Sequence, residues 1–83
     1  MAYQIRIKKR AIKTLAKINE PYFTQIKQAI YNLQDNPRPR GYKKLKGRDA
    51  YRIRVANYRI IYEIFDAELI VDVIAIGHRK DIY

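Results

Sequence analysis

The 83 residues contain no cysteine and no tryptophan, and only one histidine, one methionine, three glycines and three prolines. Without cysteine the chain has neither a disulfide framework nor thiolate metal ligands, which fits a reducing compartment. A single histidine without clustered carboxylates offers no ligand set, so neither a metal nor a cofactor is expected. Long apolar runs are missing too. Those present are strand-sized and interrupted by charge, and the first residues lack the apolar stretch of a secretion signal. These features lead us to expect a cytoplasmic protein with no membrane partner. Acidic residues are scarce: eight Asp and Glu stand against eighteen Lys and Arg, a net charge of +10. Such an excess calls for a polyanionic partner.

The length suits one domain spanning 1–83. A hydrophobic fraction of 48% supports a modest core. Tyr3 to Ile7 alternates apolar and polar residues, the period of a half-buried strand. Lys9 to Ile18 then carries Ala11, Ile12, Leu15 and Ile18 at helical spacing. Asn19-Glu20-Pro21 is a break and restart in which Asn19 or Glu20 can cap a second helix. That helix aligns Phe23, Ile26, Ile30 and Leu33 and stops before Pro37. Further on, Tyr51-Arg52-Ile53-Arg54-Val55 alternates strictly. Tyr58–Phe65 and Leu69–Ile76 are apolar, β-branched runs separated by short polar breaks. The order β-α-α-β-β-β predicts an α+β fold: an N-terminal strand and a helical hairpin packed on a curved, mainly antiparallel sheet.

If Ala56-Asn57 is a two-residue turn, Val55 pairs with Tyr58, Arg54 with Arg59 and Ile53 with Ile60. Tyr51, Ile53, Val55, Tyr58, Ile60 and Tyr62 then face the core, and Arg52, Arg54 and Arg59 share the other face. Slipping the register by one residue would bury arginines. Like charges directly opposite cost about 0.2–1 kcal/mol on an exposed sheet. A phosphate between them reverses the sign of that interaction through charge-assisted, often bidentate contacts. Upstream, Lys43, Lys44, Lys46 and Arg48 form a basic approach to the strand. Between Arg38 and Arg59 there are nine basic residues and one acid, Asp49.

Lys44-Leu45-Lys46-Gly47, Tyr51-Arg52-Ile53-Arg54, Tyr58-Arg59-Ile60-Ile61-Tyr62 and Ile76-Gly77-His78-Arg79, with Tyr83 behind them, together resemble the RelE/ParE superfamily of toxins, specifically its RelE branch. The resemblance extends over the whole chain in element order. It implies a ribosome-dependent endoribonuclease (an mRNA interferase) that cuts messenger RNA in the ribosomal A site through the ribose 2′-OH. It also implies a cognate antitoxin, which the positive charge of this chain leads us to expect to be acidic, with the ribosome and messenger RNA as further partners. Carried over by position, Arg52, Arg54, Arg59, Arg79 and Tyr83 fall on the family's catalytic positions, and Lys46 on a further basic position that contacts RNA. RelE itself carries lysines where Arg52 and Arg54 stand. Arginine stays charged in nearly every protein setting, so proton-transfer roles belonging to those lysines do not carry over. Tyr83, His78 and Glu63 remain as alternatives for moving protons. Two other readings stay open, a ParE-like inhibitor of DNA gyrase and a plain RNA-binding module.

Overall fold

The computed structural model describes residues 2–78. Its elements run β1 (Gln4–Ile7), α1 (Lys9–Ala16), α2 (Tyr22–Asn32), β2 (Lys43–Lys44), β3 (Tyr51–Val55), β4 (Tyr58–Phe65) and β5 (Ile70–His78). The five strands form one sheet in the order β1-β5-β4-β3-β2, with β1 parallel to β5 and the other pairs antiparallel. This is the α+β architecture expected from the sequence, with one addition. The two-residue β2 lengthens the sheet beyond β3; two adjacent lysines show no alternation, so no strand pattern marked them.

Both helices cover one face. Ala11 and Ile18, with Ile26, Ile30 and Leu33 of the α2 region, interlock with Ile53, Ile60, Tyr62, Val71, Val73 and Ile76. Each large aliphatic buried there is worth about 1.5–3 kcal/mol relative to exposure. Ile12, expected on this face, is instead 50% exposed. The buried line of α1 runs through Ala11, Leu15 and Ile18, and Ile12 lies one residue, roughly 100° of helical turn, off it. No side chain caps α1. At α2 the Glu20 carboxylate accepts hydrogen bonds from the Thr24 N–H at 3.1 Å and the Thr24 hydroxyl at 2.7 Å. It satisfies an otherwise orphaned first-turn donor.

The β3–β4 hairpin has the register its alternation requires: Val55 opposite Tyr58, Arg54 opposite Arg59, Ile53 opposite Ile60. Its turn is two residues long, and Ala56 has a φ of +54°. A Cβ is disfavoured in that region by about 1–2 kcal/mol, more than the roughly 0.4–1 kcal/mol by which glycine frees the unfolded chain. Ala56→Gly is therefore expected to stabilise the fold by a few tenths to about 1 kcal/mol. A lower denaturation midpoint for the glycine variant would contradict this.

A polar clamp ties the segment after α2 to the β4–β5 turn. Both outer nitrogens of Arg38 donate to Asp66, at 2.8 and 3.3 Å, and Tyr3 Oη donates to Asp66 Oδ1 at 2.7 Å. The Arg38 guanidinium lies 5.7 Å from the Tyr51 ring centroid. Donation from Arg38, and then from Tyr3, holds the Asp66 carboxyl below its ordinary range. A lowered folded pKa contributes stability that is complete above the unfolded value, about 3.9, and fades as pH falls through the folded one. Asp66→Asn should therefore remove part of the acid limb of a stability profile and leave its shape above pH about 5 unchanged. An identical acid limb in both proteins would contradict the clamp.

Candidate nucleic-acid interface

Helices cover one side of the sheet, so the polar positions of β3 and β4 face the other way. Arg54 and Arg59 are directly opposite each other, and Gly77 of β5 continues that row without a side chain. In the next row Lys43, Arg52, Ile61 and Ala75 line up across four strands. Four cations thus share two adjacent rows with no acid among the described residues between them. Arg52 registers the crowding. Its affinity for the proton is lowered first by desolvation, then by the charges of Arg54 and Arg59. The Arg59 Nε is buried and has no hydrogen-bond partner among the described residues. A buried donor left unpaired costs about 1–3 kcal/mol, so this one is poised for an acceptor.

One side of the patch is walled by a second apolar cluster that alternation did not reveal. Ile61, Ala75 and Ala50 are buried on this face, with Leu45 and Ile74 packed against them. The cluster exists because β5 bulges: Ile61 pairs with Ala75 but Tyr62 with Val73, leaving Ile74 extra. The bulge keeps Val73 and Ile76 on the core side while Ala75 stays opposite Ile61. The β2–β3 loop packs down through Leu45, whose N–H donates to the Ala50 carbonyl at 2.8 Å.

The four lysines and arginines expected upstream do not act as a block. Lys43 joins the arginine face opposite Arg52, whereas Lys44, opposite Tyr51, points the other way and lies 3.9 Å from Asp49. Lys46 and Arg48 are exposed on the β2–β3 loop. Two candidates for proton transfer are not beside the arginines. His78 is opposite Tyr58 on the helix side, with its ring 5.7 Å from the Tyr58 ring in an edge-on contact. Glu63 is four residues along β4 from Arg59, roughly 13 Å at about 3.3 Å per residue. It faces Asp72 and makes no ion pair with any described residue. Asp72 is answered instead by Lys8, at 3.2 Å. The same face thus carries mixed charge at its β1 side, where Arg6 stands opposite Asp72, and unmixed positive charge at its β3 side. Arg79 and Tyr83 lie outside the described residues.

A helix pair on one side of a mixed sheet, with a patch of cations free of described acids on the other, defines a class of small basic α+β proteins. More narrowly, the chain belongs to the RelE/ParE superfamily: the family described as ParE toxin of type II toxin-antitoxin system, parDE, matches residues 5–83. Similar curated proteins carry RelE names and point to that branch. The mRNA interferase toxin RelE of Escherichia coli strain K12 is 31% identical over 83 residues, covering 96% of this chain and 86% of the relative. A putative RelE-like toxin protein of E. coli is 32% identical over 88 residues, covering 100% and 92%. Among solved structures, the toxin in the intact E. coli RelBE toxin-antitoxin complex matches with a TM-score of 0.80 at 30% identity, over 93% of this chain and 96% of that one. The archaeal RelE-RelB complex from Pyrococcus horikoshii OT3 gives 0.86 at 25% identity, over 98% and 99%.

Proposed function

We propose that this toxin is a metal-independent endoribonuclease that cuts messenger RNA in the ribosomal A site, and that its arginine face holds the scissile backbone. The observation that carries the reading is Arg54 directly opposite Arg59, with Arg52 and Lys43 in the adjoining row and, buried beside them, an Arg59 Nε without a partner among the described residues. RNA carries its own nucleophile. The 2′-oxygen attacks phosphorus, the P–O5′ bond breaks, and the products are a 2′,3′-cyclic phosphate and a 5′-hydroxyl. Guanidinium groups neutralise charge on the non-bridging oxygens as the phosphorane forms, a contribution that grows toward the transition state. Positioning by the ribosome supplies in-line geometry, itself worth several kcal/mol.

Arg79 and Tyr83 complete the proposed set by family position, and Lys43, Lys46 and Arg48 contact RNA phosphates. Lys44, turned to the other side, contributes to the long-range field rather than to the pocket. His78 and Glu63 drop out as proton donors because neither shares the arginine pocket, which leaves Tyr83 as the remaining candidate. The partner in the cell is an antitoxin, as the relatives solved in complex with RelB suggest, and the charge of this face calls for an acidic one.

A defined message in a cell-free translation reaction, run beside a gyrase supercoiling assay, tests the reading. Message cut within codons with supercoiling intact is expected. Intact message with blocked supercoiling would assign the chain to gyrase inhibition instead.

A further inference from the structure

The β2–β3 ladder ends abruptly, and its end opens a groove. Ala50, Arg52 and Arg54 turn their backbone N–H and C=O toward the β2 side of β3, whereas Tyr51, Ile53 and Val55 turn theirs toward β4. This follows from the tight turn after Val55, which makes Val55 and Tyr58 a hydrogen-bonded pair. On the β2 side Leu45 donates to the Ala50 carbonyl, and Lys43 is the partner of Arg52. The next partner in sequence for Arg54 would be Gly41. There the chain turns away: the Tyr42 N–H donates to the Pro39 carbonyl at 3.0 Å and Gly41 takes a φ of +88°. The peptide groups of Arg54 thus face outward past the end of β2.

They face a cavity of about 420 Å³, within the range of roughly 300–1,000 Å³ typical of small-ligand sites. Its lining includes Ala29 of α2, Ile53, Pro39, Gly41, and the cations Arg40 and Arg54. An apolar floor, one outward donor–acceptor pair and the cation Arg40 in the lining match a nucleotide: base on the floor, base edge on the Arg54 peptide groups, phosphate on Arg40. Strand addition by a partner peptide is poorly served, because only one residue of β3 remains open between the end of β2 and the turn at Ala56.

We propose that this groove is a nucleobase subsite, which seats one nucleotide of the RNA strand next to the phosphate held on the arginine face. The inference rests on the nuclease reading for its biological ligand, but the groove is testable without cleavage. Amide resonances of the intact protein would be followed by ¹H–¹⁵N NMR during titration with AMP, CMP, GMP, UMP and ribose 5-phosphate. Nucleotides should shift the Gly41 and Arg54 amides saturably, with purines tightest because they cover more of the floor. Ribose 5-phosphate should bind about tenfold more weakly. Ala29→Leu, which fills the floor, should weaken AMP by about tenfold and leave ribose 5-phosphate unchanged. Its spectrum reports folding directly. Arg40→Gln, at the rim, should weaken all five probes and so serves as a second variant.

Equal binding of AMP and ribose 5-phosphate would overturn the subsite, leaving only a phosphate contact. A hexaglutamate peptide that shifts the two amides while nucleotides leave them unmoved would overturn it in favour of an acidic partner. Cleavage does not enter the readout. A protein that binds AMP here yet leaves message intact would sink the nuclease reading and keep the groove.

Discussion

Replacing Arg59 by alanine is expected to lower the rate of message cleavage on the ribosome by about 10²–10³-fold while leaving ribosome affinity within a few-fold of wild type. The asymmetry follows from what the side chain does in each state. Ground-state binding to the ribosome is spread over many phosphate contacts made by a chain of net charge +10, and loss of one is a small fraction of the total. The charge that develops on the scissile phosphate is local, and Arg59, whose Nε is buried without a partner among the described residues, has a donor to offer it.

The same substitution should leave folding stability unchanged or raise it by a few tenths of a kcal/mol, because Arg59 stands opposite Arg54 and like-charged cross-strand pairs are repulsive. A variant that is no less stable but far less active is the signature of a residue kept for chemistry. If Arg59→Ala instead weakens ribosome binding in proportion to its loss of cleavage, the patch is a phosphate track and the catalytic assignment fails. Arg59→Lys is expected to recover only part of the rate, since lysine restores charge without the planar fork.

Removing the Tyr62 side chain should have the largest effect on stability. Tyr62 is fully buried at the centre of the core face, and its hydroxyl donates to the Pro37 carbonyl at 2.7 Å. Its ring is 6.0 Å from Tyr51, which in turn neighbours Tyr42 and Arg38. Burial pushes the Tyr62 phenol well above its ordinary pKa, so it stays a donor throughout the neutral range. Tyr62→Ala should cost about 3–5 kcal/mol, as large-to-small core changes of aromatics do. That is a large share of the roughly 5–15 kcal/mol typical of a folded domain.

Tyr62→Phe keeps the packing and strands the Pro37 carbonyl, for a loss of about 1–3 kcal/mol. Since about 1 kcal/mol moves Tm by roughly 4–8 °C at this chain length, thermal unfolding resolves both variants. A phenylalanine variant with wild-type Tm would mean that the hydroxyl is not fixing the segment that follows α2.

How much of this was legible in the residues alone varies by element. The β3–β4 hairpin was readable down to its register, because strict alternation in Tyr51–Val55 admits one pairing that keeps arginines out of the core. Strand β5 was readable as a strand but not in its faces. Ile70 to Ile76 is apolar almost throughout, which hides the bulge at Ile74 and with it the wall of Leu45, Ala50, Ile61 and Ala75. One hint was available, an isoleucine at position 61 on a face otherwise carrying arginines.

The role of Arg38 was not legible either. It sits in the basic run beside Arg40, yet its guanidinium is committed to Asp66, twenty-eight positions away in sequence. A count of charges does not separate paired cations from available ones. The same limit applies to Lys43 and Lys44, adjacent in sequence and on opposite faces of the sheet. Ile12 fell off the buried line because α1 is only eight residues long, so a one-residue difference decides which side chains reach the core.

Central to the proposed function is that guanidinium groups of β3 and β4 jointly hold the message at the point of cleavage. Primer extension on a ribosome programmed with a defined message, wild type beside a variant with both Arg52→Gln and Arg54→Gln, tests it most directly. Wild type should give discrete stops within the A-site codon, and the double variant should lose them or form them at least about a thousandfold more slowly. The same stops at a comparable rate from the variant would contradict it.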